Sequence, residues 1–266
     1  MRAVERLSAA ERVALVVPLA GGSVFGLGAL LLPQSTAALT GYAGADPLIA
    51  RYAGAATLGY AVALAFGVWE GRARPLRFVL LATLAFNVAS LFACLVEIAS
   101  GQARPVVYAI LVSGVVIIAI AAAVLRGHAE PPAARDVGTW VVTLLAILTV
   151  PAAIFGLFPL LAPAQFAVLF RLNGTDTFLF RQAGAATLGY AGMGIAEARS
   201  GRWNSLRLPV LMALVFNSVS FVASAFEIGG QVGSEGGFET WLPFVVAPVS
   251  LFATVATALI LQVRGR

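Results

Sequence analysis

Lysine is absent from the 266 residues, and cysteine and histidine occur once each, as Cys94 and His128. A lone cysteine excludes an internal disulfide, and a lone histidine cannot build a metal centre or a bis-histidine haem site. No cofactor is expected. Charge is scarce as well: Asp, Glu, Lys and Arg make up 11% of the chain, against about a quarter in soluble domains. No P-loop, dinucleotide-binding glycine fingerprint or Ser/His/Asp set can be assembled, so no catalytic residue is assigned; a non-enzyme is the favoured reading, with catalysis on lipid by Glu, Asn and Arg left open. All seventeen basic residues are Arg, and they lie mainly in short connections between apolar runs. No basic and aromatic stretch is long enough to serve as a nucleic-acid surface, so no nucleic-acid partner is expected.

What is abundant is hydrocarbon. Sixty per cent of the residues are hydrophobic and the mean hydropathy is +0.94, which predicts an all-α, polytopic membrane protein. The apolar runs and their breakers place eight transmembrane helices at about 12–33, 47–70, 77–99, 105–126, 138–161, 177–198, 207–229 and 241–263. The first run is longer than the roughly 7–15 residues of a signal-peptide core. Its end, Val24-Phe25-Gly26-Leu27 followed by Pro33, recurs in mid-chain as Ile154-Phe155-Gly156-Leu157 followed by Pro163, so it reads as a retained span.

That recurrence is general. Residues 51–61 match residues 181–191 at ten of eleven positions, and the same offset of 130 carries Phe86-Asn87 onto Phe216-Asn217, Ser90 onto Ser220 and Glu97 onto Glu227. The expected organisation is two same-orientation four-helix repeats, 1–127 and 138–266, joined by a linker at 128–137. Thirteen Arg fall on one side of the expected spans and four, Arg51, Arg104, Arg171 and Arg181, on the other. The positive-inside rule then puts the thirteen, and both termini, in the cytoplasm, which implies an inner-membrane protein. Trp69, Trp140, Trp203 and Trp241 fall at or near span ends, as interfacial rings should. Abundant Ala and Arg without Lys suit a GC-rich bacterial genome.

The longer connections on the four-Arg side, 34–46 and 164–176, both finish in Gly-x-Asp, and Asp46-Pro47 reads as a helix N-cap. The apolar stretch 164–172 should lie in the membrane interface, and the glycine-rich connection 230–240 should be solvated.

Candidate functional groups lie on the third and seventh helices. Asn87, Ser90, Cys94 and Glu97 are spaced three, four and three apart, so they share one helix face, and Asn217, Ser220, Ser224 and Glu227 repeat it. Such groups must turn away from lipid, because an unpartnered buried amide costs on the order of 2–7 kcal/mol. They either bond across packed helices or line a polar pocket. Arg51 and Arg181 stand one turn inside the same end of the second and sixth helices, which suggests the pairs Arg51–Glu97 and Arg181–Glu227 within each repeat. Small residues four apart, Ala55 with Gly59 and Ala185 with Gly189, allow close helix contact, while Thr57 and Thr187 either face a ligand or bond their own backbone.

Two functional readings follow. In one, the protein binds or transports a small molecule through a polar pocket between the repeats that opens to the outside, using Asn87, Ser90, Glu97, Arg51, Asn217, Ser220, Glu227 and Arg181. In the other it is a non-transporting scaffold or partner subunit: those groups only lock helices, and the inner Arg engage membrane lipid, a second copy or another membrane protein. A third, an enzyme acting on lipid through Glu97, has no further residue to support it.

Overall fold

The structure is a computed structural model, and it describes residues 6–42, 46–128, 136–170, 172, 176–200 and 202–230. The expected eighth span, the connection that follows Gly230, most of the linker, and Arg171 and Trp241 lie outside the described residues.

Every element among the described residues is helical: α1 (Ala9–Leu31), α2 (Pro33–Thr40), α3 (Pro47–Glu70), α4 (Ala73–Ala99), α5 (Pro105–Gly127), α6 (Thr139–Leu161), α7 (Pro163–Leu169), α8 (Thr177–Ser200) and α9 (Trp203–Gly230). Six of them, α1, α3, α4, α5, α6 and α9, are long and apolar enough to cross a membrane. The chain is therefore built as a multi-pass membrane protein. Helix α8 coincides with the expected 177–198 span but falls outside this group, because Arg181, Gln182 and Glu197 dilute its apolar surface. The connections 34–46 and 164–176 are not open chain, since both begin with a short helix. Pro33 and Pro163 start α2 and α7 from the first helical turn, where the missing N–H costs nothing.

Local chemistry accounts for the helix ends. Ser8 and Glu11 form a reciprocal capping box at the start of α1. The Asp46 carboxylate accepts from Leu48 N at 2.9 Å and Ile49 N at 3.2 Å, so the expected N-cap is present. Gly71 closes α3 in the left-handed region, φ 62°. Leu7 N donates to Gly71 O at 3.0 Å, and Glu11 meets His128 at 3.0 Å. These contacts bring the start of α1, the α3–α4 turn and the end of α5 to one end of the bundle; α2 and α7 occupy the other.

Burial separates centre from rim. Helices α3, α4 and α9 are about half buried, whereas α1 and α5 show most of their surface, including Val13, Val24, Val112 and Val115. An apolar rim of this extent suits acyl chains rather than water. The polar residues are inside: Asn87, Ser90, Glu97, Asn217, Ser220 and Ser224 are all buried.

Packing follows an exchange of partners. Helix α1 runs along α3 and α6 along α8, but α4 packs on α8 and α9 on α3, while consecutive α3 and α4 touch little. Glycine makes the first two contacts close: a Cβ at Gly54 would lie 2.6 Å from Gly26 O, and one at Gly184 would lie 2.6 Å from Gly156 O. Gly59 and Gly189 serve the crossed contacts, where a Cβ would meet the Met212 carbonyl at 2.8 Å and the Ala82 carbonyl at 2.7 Å. The small-residue reading thus holds for Gly59 and Gly189, with Gly54 and Gly184 as further close-approach positions.

At the centre Tyr60 and Tyr190 meet edge to face, ring centroids 5.1 Å apart. Each hydroxyl donates to a carbonyl of the other helix, Tyr60 to Ala186 O at 2.9 Å and Tyr190 to Ala56 O at 2.8 Å. These bonds satisfy two buried phenols and tie α3 to α8.

Candidate functional site

The exchange of partners overturns the expected ion pairs. Arg51 binds Glu227, not Glu97, and Arg181 lies 3.8 Å from Glu97, not beside Glu227. Adjacency in sequence suggested pairing within α3–α4 and within α8–α9, but those hairpins splay apart, and each carboxylate meets the arginine of the opposite half. Arg51 also donates to Leu30 O at 2.5 Å and lies over the Phe226 ring at 4.8 Å. Arg181 reaches Thr177 Oγ1 at 3.2 Å. Each arginine is thus held by two or more groups near the α2/α7 end.

The polar stripes face the opposite half in the same way. Ser90 Oγ donates to Gln182 Oε1 at 2.7 Å, and Tyr52 and Ser224 share a hydroxyl–hydroxyl bond of 2.7 Å. Residues 52 and 182 are the single mismatch in the repeated eleven-residue segment, so corresponding sequence positions carry a phenol and an amide. Sequence reading passed over both, although the mismatch itself was visible. Among the described residues the asparagines bond within their own helices: Asn87 Nδ2 donates to Thr83 O at 2.8 Å and Asn217 Nδ2 to Ala213 O at 2.7 Å, each four residues back. Thr57 and Thr187 likewise bond their own backbone, at Ala53 O (2.7 Å) and Ala183 O (2.9 Å).

Two cavities flank the Tyr60–Tyr190 contact. The larger, about 330 Å³, runs from Thr36 and Tyr42 at the α2 end down to Val17 and Ile117. Asn87 and Ser90 line it, joined by Gln182, Asp176 and Tyr42. The smaller, about 140 Å³, has Asn217, Tyr190, Phe216 and Glu197 in its wall. Of the eight candidate residues, Arg51, Glu97, Arg181, Ser220 and Glu227 line neither. The Ser220 hydroxyl is buried without a partner among the described residues.

A charged cluster closes the α2 end of the larger cavity. Tyr42 OH donates to Glu97 Oε1 at 3.2 Å, its ring stacks on Phe178 at 5.1 Å, and the Arg104 guanidinium lies 5.0 Å from its centroid. Burial, reinforced by the Glu97 carboxylate, pushes the Tyr42 phenol above its usual range, so it stays a neutral donor. Asp176 Oδ1 accepts from Leu179 N at 3.0 Å, which makes it a helix cap, while its Oδ2 is buried and unpartnered. Burial raises the Asp176 carboxyl above the ordinary range. An asparagine amide, a glutamine amide, a serine and a half-satisfied carboxyl therefore share one apolar-walled space, an arrangement that can orient a small polar solute.

No cluster of three or more His, Cys, Asp or Glu that could hold a metal is found among the described residues. No protein-family model, curated protein or solved structure matches the chain.

Proposed function

We propose that the chain is a multi-pass protein of the cytoplasmic membrane, both termini cytoplasmic, that binds or transports a small polar molecule through the larger cavity. In this reading two same-orientation four-helix repeats, 1–127 and 138–266, are joined by the 128–137 linker, with Asn217 and Ser220 as counterparts of Asn87 and Ser90. The observation that carries it is the 330 Å³ space beside Asn87 and Ser90, where dry packing would have left none. Gln182 and Asp176 add donor and acceptor capacity that the fold leaves unused, since Gln182 Nε2 has only long contacts, 3.5 Å to Ser90 O and 3.6 Å to Cys94 Sγ. Arg51–Glu227 and Arg181–Glu97 hold the helix ends around the cavity mouth.

A ligand present at a hundredfold excess over its Kd stabilises the folded state by about 2.7 kcal/mol. A thermal-shift screen of amino acids, sugars and nucleosides on the detergent-purified protein is therefore expected to yield a compound that raises the melting midpoint. That shift should vanish in Asn87→Ala and in Gln182→Ala, with flux into proteoliposomes lost in parallel.

The scaffold reading is favoured by one set of observations. Ser90, Glu97, Arg51 and Glu227 already have protein partners on another helix. It requires that no compound shifts the wild type and that Asn87→Ala changes stability alone. Membrane lipid, a second copy or another membrane protein would then be the partner.

A further inference from the structure

Glu197 stands one turn from the end of α8, is 3% exposed, and has its Oε1 without a hydrogen-bond partner. It lines the smaller cavity, and it has neither the arginine that Glu97 meets nor the helix N-terminus that Asp46 and Asp176 cap, among the described residues. Nothing in the fold demands an acid at this place. The position 130 residues earlier is Gly67, where a Cβ would lie 2.8 Å or less from Leu76 side-chain carbons. The earlier position holds a glycine packed against leucine; the later one carries a carboxylate.

A carboxylate withdrawn from water needs a positive charge or a proton beside it. The rest of the wall indicates which kind of cation fits. Met193 and Gly194 lie within about one turn of Glu197 on α8, and Leu145 and Leu148 of α6 join them in the wall, so an apolar body is accepted beside the charge. A hard metal ion is a poor match, because it requires about six or more oxygen ligands and no acidic cluster accompanies Glu197 among the described residues. The volume of about 140 Å³ limits the guest to a compact molecule.

We propose that the smaller cavity binds a compact organic ammonium ion, its charged nitrogen on Glu197 and its apolar body along Leu145, Leu148 and Met193. This site is separate from the larger cavity and does not rest on the function proposed for it.

The test compares 2-phenylethylamine with 2-phenylethanol, which keeps the body and removes the charge, by calorimetric titration of the full chain in a nonionic detergent at neutral pH. The amine is expected to bind at least tenfold more tightly than the alcohol. Glu197→Gln should bring the amine down to the level of the alcohol, and Glu197→Asp, which keeps the charge but shortens the reach, should fall between. Asn87→Ala, in the other cavity, should leave amine binding unchanged, so failure of the function proposed above does not touch this result. Equal binding of amine and alcohol, no binding of either, or undiminished amine binding in Glu197→Gln would overturn the proposal and leave Glu197 as a carboxyl neutralised by a proton.

Discussion

Gly54→Ala is expected to lower stability by roughly 3 kcal/mol, the upper part of the range for overpacking. The new methyl group would meet backbone, Gly26 O at 2.6 Å and Leu30 N at 2.7 Å, and backbone cannot rotate out of the way as a side chain can. Helices α1 and α3 would have to separate along their length. Gly184→Ala should behave alike, since its Cβ would lie 2.6 Å from Gly156 O and 2.8 Å from Leu160 N. Gly21→Ala is the internal control: nothing lies within 4 Å of its Cβ, and alanine is the better helix former by about 1 kcal/mol. Melting midpoints in detergent should therefore drop by on the order of 5–10 °C for Gly54→Ala and Gly184→Ala and hold or rise for Gly21→Ala. Equal midpoints for all three would mean that the close approach of α1 to α3, and of α6 to α8, does not exist.

The second large effect concerns the crossed ion pairs. Arg51→Ala strands Glu227, whose side chain is 13% exposed, and breaking a buried pair from one side costs roughly 3–5 kcal/mol. Protonation of the carboxyl relieves part of that cost. Connectivity is read by charge exchange: Arg51→Glu combined with Glu227→Arg should recover most of the lost midpoint, whereas Arg51→Glu combined with Glu97→Arg should recover none. Double-mutant cycles put the same expectation in energies, about 1 kcal/mol or more of coupling for Arg51 with Glu227 and near zero for Arg51 with Glu97. Recovery by the Glu97 exchange instead would restore pairing within α3–α4 and refute the partner exchange. The Arg181–Glu97 pair, at 3.8 Å, should show a smaller coupling, because Tyr42 supports Glu97 independently.

The candidate site was legible in part. Spacing alone placed Asn87, Ser90 and Glu97 on one face of a helix, and the structure buries all three. It did not separate their roles: Asn87 and Ser90 line a cavity while Glu97 joins an ion pair and a phenol. Gln182 escaped notice because it joins the cavity wall from a distant part of the chain, Asp176 was visible only as the end of a Gly-x-Asp connection, and Glu197 has a glycine, Gly67, as its counterpart and so carried no repeated signal.

By itself the sequence determined that this chain builds long apolar helices for lipid, about where the long ones lie, and which face of the third and seventh carries the polar stripe. These follow from local rules: run length against bilayer thickness, helical period, and cap residues that act within one turn. Only the tertiary structure decided which helix each polar face meets. Segments 130 residues apart carry nearly the same side chains, so composition and period are equally satisfied by pairing within a half or across halves. The choice falls to packing, to the glycines that let α4 lie against α8 and α9 against α3, and to the Tyr60 and Tyr190 hydroxyls that each end on the opposite helix.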